Sequence, residues 1–544
     1  MNDNSQIFLV RPSARQTVRG FVQLLVILAS IVISVLNCSA SAYNIYVAQT
    51  AAGSGNGADC ADAYAYTFFN TAGNWGTGAS QIGPGTTVHL CGTFTASAGT
   101  SGFLTFQASG TSGNPVILKF ESGALIQAPW WSSNGAITTN GTLSYITVDG
   151  GTNGVIQATL NGSSSATCLG GPCQYQQNGF AINLFCGTNC EVKNLTVSDL
   201  YIHNSVSDNG GNNGIGVQGS NVTVDNNTVH DTTWAIVYSI STGTQTNFLA
   251  YDNTAYNVDH GIAVGNSGSA STLTGIIIYG NVLHDFANWD TTADTWHHDG
   301  IHIYVTTPGG VDNGDIAVYN NYVYGNYGNN DNAGIYLESG DGGGTIGTHY
   351  VFNNVLTASG GGCASAFITD YSNTGGNLFN NTIGSGACVI FSNRYVSTGS
   401  AVLENNVISS TSNPTGSYDP DGGTTVSTSN YNDWYGLSAT ETMNYGIFYA
   451  PFSSYVSATG LDQNSILTNP ELTSFHPAIG SPVIGFGVNF YSTCHGQPNP
   501  GLGALCYDKA GVARPSSGNW TMGAYTSSSV AGPTAPTNLT ASVQ

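Results

Sequence analysis

VTVDNNTVHD (222–231), FLAYDNTAYN (248–257), IIIYGNVLHD (276–285), IAVYNNYVYG (316–325), HYVFNNVLTA (349–358), NLFNNTIGS (377–385) and AVLENNVISS (401–410) are one pattern written seven times. Asn227, Asn253, Asn281, Asn321, Asn354, Asn381 and Asn406 fall in one column, at successive intervals of 26, 28, 40, 33, 27 and 25 residues. Each copy is a short alternating strand, an asparagine at a bend, and another short alternating strand. Asparagine tolerates left-handed backbone and hydrogen-bonds locally, which suits a bend. No single unit can bury its apolar face, so the units must stack, with successive strands about 4.8 Å apart. Equivalent asparagines would then bond to one another as a ladder, and the uneven intervals mark loops leaving one corner. The expectation is an all-β chain: a right-handed parallel β-helix (solenoid) forming a single elongated domain. A β-sandwich would not keep one asparagine column through seven repeats.

A further strand recurs in the same units: NGIGVQ (213–218), WAIVYS (234–239), HGIAVG (260–265), DGIHIY (299–304), AGIYLE (333–338), SAFITD (365–370) and ACVIFS (387–392). Alternation points Ile215, Ile236, Ile262, Ile301, Ile335, Phe367 and Val389 inward, and His302, Tyr304, Tyr336, Glu338 and Asp370 outward. In this register His302 is followed one coil on by Tyr336. Tyr304 is followed by Glu338, then Asp370, then Ser392, with Arg394 two residues beyond.

On these repeats the chain resembles the pectin-lyase-like superfamily of parallel β-helix proteins, over roughly residues 43–526. The stretch NPELTSFHPAIGSPVIGFGVN (469–489) with DKAGVARPSSGNWTMGAY (508–525) is similar to the end of many secreted bacterial β-helix proteins. The resemblance implies cleavage or modification of polysaccharides, with adhesins and structural members as a minority. Asp299-Gly300-Ile301 resembles part of a polygalacturonase segment and Asp259-His260-Gly261 another. Their order is reversed here, and the paired aspartates and the Arg-x-Lys motif are missing, so that family is not assigned. Residues 532–544 resemble a linker leading into an immunoglobulin-like module.

The rest of the sequence sets the compartment. Arg11, Arg15 and Arg19 precede an apolar run from Phe21 to Leu36, and Ala40-Ser41-Ala42 supplies a cleavage pattern. Residues 1–42 therefore read as an export signal, with an uncleaved anchor and a lipidated Cys38 as the alternatives. The organisation read from the chain is 1–42 signal peptide, 43–165 N-terminal cap and first coils, and 166–410 central β-helix. Residues 411–526 then form C-terminal coils and cap, and 527–544 a linker-like tail. Signal removal leaves ten of the eleven cysteines, an even number that in an exported chain reads as disulfides. Spacing pairs Cys168 with Cys173, Cys186 with Cys190, Cys363 with Cys388 and Cys494 with Cys506. Cys60 and Cys91 are left over, one connectivity among those the sequence permits.

Only 7% of residues are charged. Lys119, Lys193, Arg394, Lys509 and Arg514 are the basic residues after position 42, against 29 acids, a net charge of −24. Such a chain repels polyanions at long range, which excludes nucleic acid as a partner. The expected partner is a polysaccharide, and the expected state an extracellular or surface monomer without stable membrane insertion. An acidic polysaccharide would need calcium or a local arginine to hold it.

The longest interval, Asn281 to Asn321, contains WDTTADTWHHDGIHIY (289–304). Loops leaving a rigid β scaffold are where binding residues gather, and tryptophan beside carboxylates suits sugar rings. Neighbouring carboxylates at coil spacing would be about 5 Å apart, close enough to split their pKa values and share a proton. Glycoside hydrolysis needs two carboxylates, about 5 Å apart for retention and about 6.5–9.5 Å for inversion. Glu338 with Asp370 suits the first, and Asp299 with Asp370 the second. Asp299, Glu338 and Asp370 are thus the candidate acid, base or nucleophile. His260, Trp289, Trp296, His298, His302, Tyr304, Tyr336 and Arg394 are the candidate substrate contacts.

A solvated acidic ladder or a calcium site is the plain alternative. No cofactor is required on this reading, calcium being the one that could serve, and no metal ligand set is assigned. Zinc at His298 and His302 is disfavoured because four extended residues put them about 13 Å apart. A second column, His203, His230, Tyr256, His284 and Tyr324, reads as aromatic stacking or as the other lip of a groove. Glycoside hydrolysis leads among the functions. A uronate lyase or epimerase comes second because cations are scarce, and a non-catalytic adhesin or structural β-helix third.

Overall fold

Each bend gives two jobs to two residues. The first residue turns the chain: Asn226, Asp252, Gly280, Asn320, Asn353, Asn380 and Asn405 have φ between 53° and 68°. Glycine visits that region freely, and asparagine and aspartate are the side chains that tolerate it. The second residue is the ladder asparagine. Its backbone N–H and its Nδ2 both donate to Oδ1 of the asparagine one coil on, at 2.9–3.1 Å throughout. The ladder runs from Asn227 to Asn432, one coil past the seventh sequence copy, and its amides are buried.

The computed structural model describes residues 43–159, 179–200, 212–286, 297–328, 333–339, 343–359, 366–386, 389–392, 400–409, 418–419, 425–436, 442–444, 447–449 and 451–526. Within them the strands pair in parallel from coil to coil on three faces, as a right-handed parallel β-helix. The face before the ladder stacks Val224, Ala250, Ile278, Val318, Val351, Leu378 and Leu403 inward. The face after it stacks Val229, Ala255, Leu283, Val323, Leu356, Ile383 and Ile408. The third stacks Ile215, Ile236, Ile262, Ile301, Ile335, Ile368 and Phe391. All these side chains are buried, each valine, leucine, isoleucine and phenylalanine stabilising the stack by about 1.5–3 kcal/mol.

The third face departs from the sequence reading in two successive coils. Ile368, not Phe367, pairs with Ile335, so Leu337 pairs with Asp370 and Glu338 with Tyr371. Phe391 rather than Val389 continues the column, and Ser392 pairs with Thr369. Side chains alternate with period two, so a shift of one residue exchanges the faces. Asp370 therefore points inward, fully enclosed, where His349 Nε2–H donates to it at 3.0 Å. Phe367 is buried as well, one position early, in the column of Gly300 and Gly334.

That column has its own logic. A Cβ on Gly261 would lie 2.4 Å from the Gly300 carbonyl oxygen, and one on Gly300 2.5 Å from that of Gly334 and 2.6 Å from Val323 Cγ1. The chain turns inward there, and coil packs on coil through bare backbone. Gly300→Ala is expected to cost about 1–3 kcal/mol through overpacking, read as a lower urea midpoint. An unchanged midpoint would show that the coils yield at this corner.

Residues 451–526 fold back along the flank. The side chains of the turning asparagines hold them: Asn353 Nδ2 donates to Tyr507 O at 2.8 Å, Asn380 Nδ2 to Thr521 O at 3.1 Å, and Asn405 Nδ2 to Val488 O at 2.8 Å. The buried guanidinium of Arg514 donates to Asn353 Oδ1 at 2.9 Å and stacks on Trp520. Cys60–Cys91, Cys186–Cys190 and Cys494–Cys506 are disulfides. Cys168, Cys173, Cys363 and Cys388 lie outside the described residues, as do the 1–42 segment, the 527–544 tail and His203. No described helix is long and apolar enough to cross a membrane.

Candidate active site

The outward side chains of the third face form three adjoining columns. Trp234, His260, Asp299 and Ala333 make the first; Val237, Ala263, His302 and Tyr336 the second; Ser239, Gly265, Tyr304 and Glu338 the third. Small residues in the first two coils of the second and third columns leave room for the large side chains of the next two. A Cβ on Gly265 would lie 2.4 Å from Tyr304 Oη, so its absence lets Tyr304 reach back one coil. Tyr336 stacks on His302 with ring centroids 4.7 Å apart and planes within 4°.

Asp299 is the hub. Its side chain is 0% exposed. Oδ1 accepts the Ala333 N–H at 2.9 Å, while Oδ2 accepts His297 Nδ1–H at 2.6 Å and faces His260 Nε2 at 3.4 Å and His302 Nδ1 at 3.6 Å. The bend at Gly300 folds Asp299 and His302 together although they stand three positions apart. Asp259 braces the group from behind. It accepts Trp234 Nε1–H and His260 Nδ1–H at 2.8 Å each, and meets His298 Nδ1 through its other oxygen. Glu338 Oε2 lies 3.2 Å from His302 Nε2. A pocket of about 220 Å³ opens above, lined by Trp234, Asp259, His260, His297, His302, Tyr304, Thr306 and Glu338.

Burial and pairing divide these groups electrically. Burial alone would raise the Asp299 carboxyl, but His297, His260 and His302 outweigh it and hold it well below the usual range. Asp259 is held down in the same way against burial by His260 and His298. Burial would lower His260, yet Asp259 and Asp299 carry it up to about 9, and Asp299 raises His297 similarly. For His302 burial prevails and its pKa is lowered despite Glu338. Tyr304 is pushed up to about 12, first by burial and then by the Glu338 charge.

The structure thus brings together six residues singled out in the sequence: His260, Asp299, His302, Tyr304, Tyr336 and Glu338. His298 is present but turns to Asp259. Asp370 is excluded, so neither the Glu338–Asp370 pair nor the Asp299–Asp370 pair exists in the groove. Asp299 itself is enclosed rather than open to a substrate. Trp289, Trp296 and Arg394 lie outside the described residues. His297, Asp259 and Trp234 were not among the candidates. Trp234 stands opposite His260 in the aligned repeats, a signal present in the sequence. His297 carried none, since alternation through the HH pair favours neither ring. The other column stacks as read, with His230–Tyr256, Tyr256–His284 and His284–Tyr324 centroids 4.6, 5.2 and 4.5 Å apart.

The ligand chemistry of the hub is notable too: His260, His297, Asp299 and His302 place one donor atom each within 4.8 Å of one another.

No known protein family and no curated protein matches the chain. Among solved structures, pectate lyase Pel9A is similar at 15% identity, covering 89% of this chain and 96% of its own, with a TM-score of 0.43. XylC, solved in complex with xylose, is similar at 12% identity, covering 67% and 75%, with a TM-score of 0.39. The A-module of the Azotobacter vinelandii mannuronan C-5 epimerase AlgE4 is similar at 14% identity, covering 70% and 91%, with a TM-score of 0.30.

Proposed function

We propose that this parallel β-helix is an exported enzyme that cleaves a uronate-containing polysaccharide by β-elimination in the Trp234–Tyr304–Glu338 pocket. The observation that carries the reading is the division of labour around His302. On one side Glu338, at the pocket wall, is oriented by His302 Nε2. On the other, Asp299 is sequestered among histidines with its negative charge already matched. Hydrolysis by paired carboxylates needs two open carboxyl groups, and the inward turn of Asp370 removes the partner that Glu338 had in the sequence reading.

Elimination needs a base, an acid and a positive group to meet the sugar's carboxylate. Glu338 takes the proton from the carbon beside that carboxylate. The C–O bond to the leaving sugar breaks with its electron pair going to oxygen, Tyr304 protonates that oxygen, and a carbon–carbon double bond stays in the product. With its pKa near 12 the Tyr304 hydroxyl keeps its proton for this step. Asp259 and Asp299 favour positive charge on the pocket floor at His260 and His297, carried there by protons or by a cation in their place, in a chain with almost no lysine or arginine. Trp234 offers an aromatic plane for a sugar ring.

A panel of uronate and neutral polysaccharides, read by ultraviolet absorbance of unsaturated product and by new reducing ends, tests this. Glu338→Gln and Tyr304→Phe are each expected to lower kcat by about 10²–10⁴-fold with an unchanged melting midpoint. Reducing ends without absorbance would replace elimination by hydrolysis. Binding without turnover of any member would make the chain an adhesin.

A further inference from the structure

Three imidazoles and a carboxylate on the pocket floor converge on one another instead of on solvent. His260 Nε2, His302 Nδ1 and Asp299 Oδ2 form a triangle with sides of 3.3, 3.4 and 3.6 Å. A tetrahedral ion bonded at about 2.0–2.1 Å has ligand–ligand edges of about 3.3 Å. We propose that His260, His302, Asp299 and His297 form a binding site for one first-row divalent transition ion, zinc by preference. The inference stands on ligand geometry and does not depend on the polysaccharide reaction.

The surroundings fit this role. A metal-bound imidazole uses one nitrogen for the ion and gives its other N–H to a carboxylate or carbonyl, which fixes tautomer and ring orientation. His260 does this with Nδ1–H to Asp259 at 2.8 Å, and Asp259 is itself anchored by the Trp234 indole N–H at 2.8 Å. His302 does it in the opposite sense, with Nε2 toward Glu338 at 3.2 Å. His260 and His302 thus each turn the outer nitrogen to a carboxylate and the inner one toward the other ring and Asp299.

Asp299 is prepared likewise, its Oδ1 taken by the Ala333 N–H and its Oδ2 turned to the centre. Two inner imidazole nitrogens 3.3 Å apart cannot face each other with both lone pairs free. Either an N–H of one ring or a metal ion must lie between them. Three nitrogens and one oxygen suit zinc, cobalt, nickel or copper, whereas calcium and magnesium want an oxygen cage. The calcium suggested by the sequence does not suit these ligands. A straight strand kept His298 and His302 apart, but here the donors come from two adjacent coils and the Gly300 bend, with His297 as the fourth.

The full mature chain, stripped with a chelator and dialysed, is titrated separately with zinc, cobalt and calcium chlorides, and bound metal is measured. The expected result is close to one zinc per chain, tetrahedral Co²⁺ absorption bands, and no calcium competing for the site. His302→Ala should abolish stoichiometric binding. Asp259→Asn, which touches no metal, should weaken it by about 10–100-fold. His297→Ala removes a ligand that is 31% exposed at the strand's edge, so it should lose affinity while keeping the wild-type melting midpoint. Wild-type chain that retains no zinc would overturn the site, and so would zinc bound equally by His297→Ala and His302→Ala. None of these readouts uses a polysaccharide, so failure of the metal site and failure of the lyase reading are separately visible.

Discussion

Asn321→Ala is expected to destabilise the folded chain by about 2–6 kcal/mol, since it orphans two buried groups at about 1–3 kcal/mol each. The Asn281 backbone N–H loses its acceptor at 3.0 Å, and the Ile278 carbonyl loses the Asn321 Nδ2 donor at 3.0 Å. Two amide–amide bonds go as well, Asn281 Nδ2 to Asn321 Oδ1 at 2.9 Å and Asn321 Nδ2 to Asn354 Oδ1 at 3.0 Å. No water reaches these groups, because both neighbouring asparagines are buried. The control is an amide pair in contact with solvent: Gln157 Nε2 donates to Gln127 Oε1 at 3.2 Å between neighbouring coils. Gln127→Ala should stay within about 0.5 kcal/mol of wild type. Urea denaturation of both variants separates burial from the amide contact itself. Equal midpoints would mean that the ladder sets the bend without adding stability.

Asp312→Asn is expected to stabilise the chain more at pH 8 than at pH 5, where only part of the window between the unfolded and folded pKa values has been crossed. Asp312 interrupts an inward stack, paired with Leu273 on one side and Ile346 on the other. Oδ1 accepts Asn266 Nδ2–H at 2.9 Å, while Oδ2 has no partner. Burial pushes its pKa up to about 7, with the Asn266 bond opposing. The unfolded carboxyl titrates near 3.9. Between these values the folded state holds a proton that the unfolded state has released, so stability falls as pH rises through that window and stays low above it. At up to about 1.4 kcal/mol per pH unit, the whole effect is of the order of a few kcal/mol. Asparagine mimics the protonated acid at every pH. Asp433 is likewise raised, to about 8, and contributes the same slope to both chains, so the quantity to compare is variant minus wild type at each pH. A difference that is the same at pH 5 and pH 8 would show that Asp312 is not held neutral.

How much of this was legible beforehand varies from residue to residue. The asparagine column was readable because the same local rule, a left-handed residue followed by a ladder amide, recurs within each coil and needs no distant partner. The pairs His302–Tyr336 and Tyr304–Glu338 were readable for a related reason, since both strands start at the same glycine step, Gly300 over Gly334. Asp370 was not. What holds it inward is His349, a buried base on a different face 21 residues earlier. Alternation says that faces swap when register slips, not which register wins.

The site divides along the same line. Composition, the repeats and the long Asn281–Asn321 interval determined the parallel β-helix and picked out the coil on which the chemistry concentrates. Only the tertiary structure decided that Asp299 is an enclosed hub, that His297 and not His298 joins it, and that Asp259 stands behind the pair. Periodicity describes a straight strand, in which residues 299 and 302 point to opposite sides. The bend at Gly300, where backbone packs on backbone between coils, is a property of the stack, and it brings Asp299 and His302 to face His260 of the preceding coil.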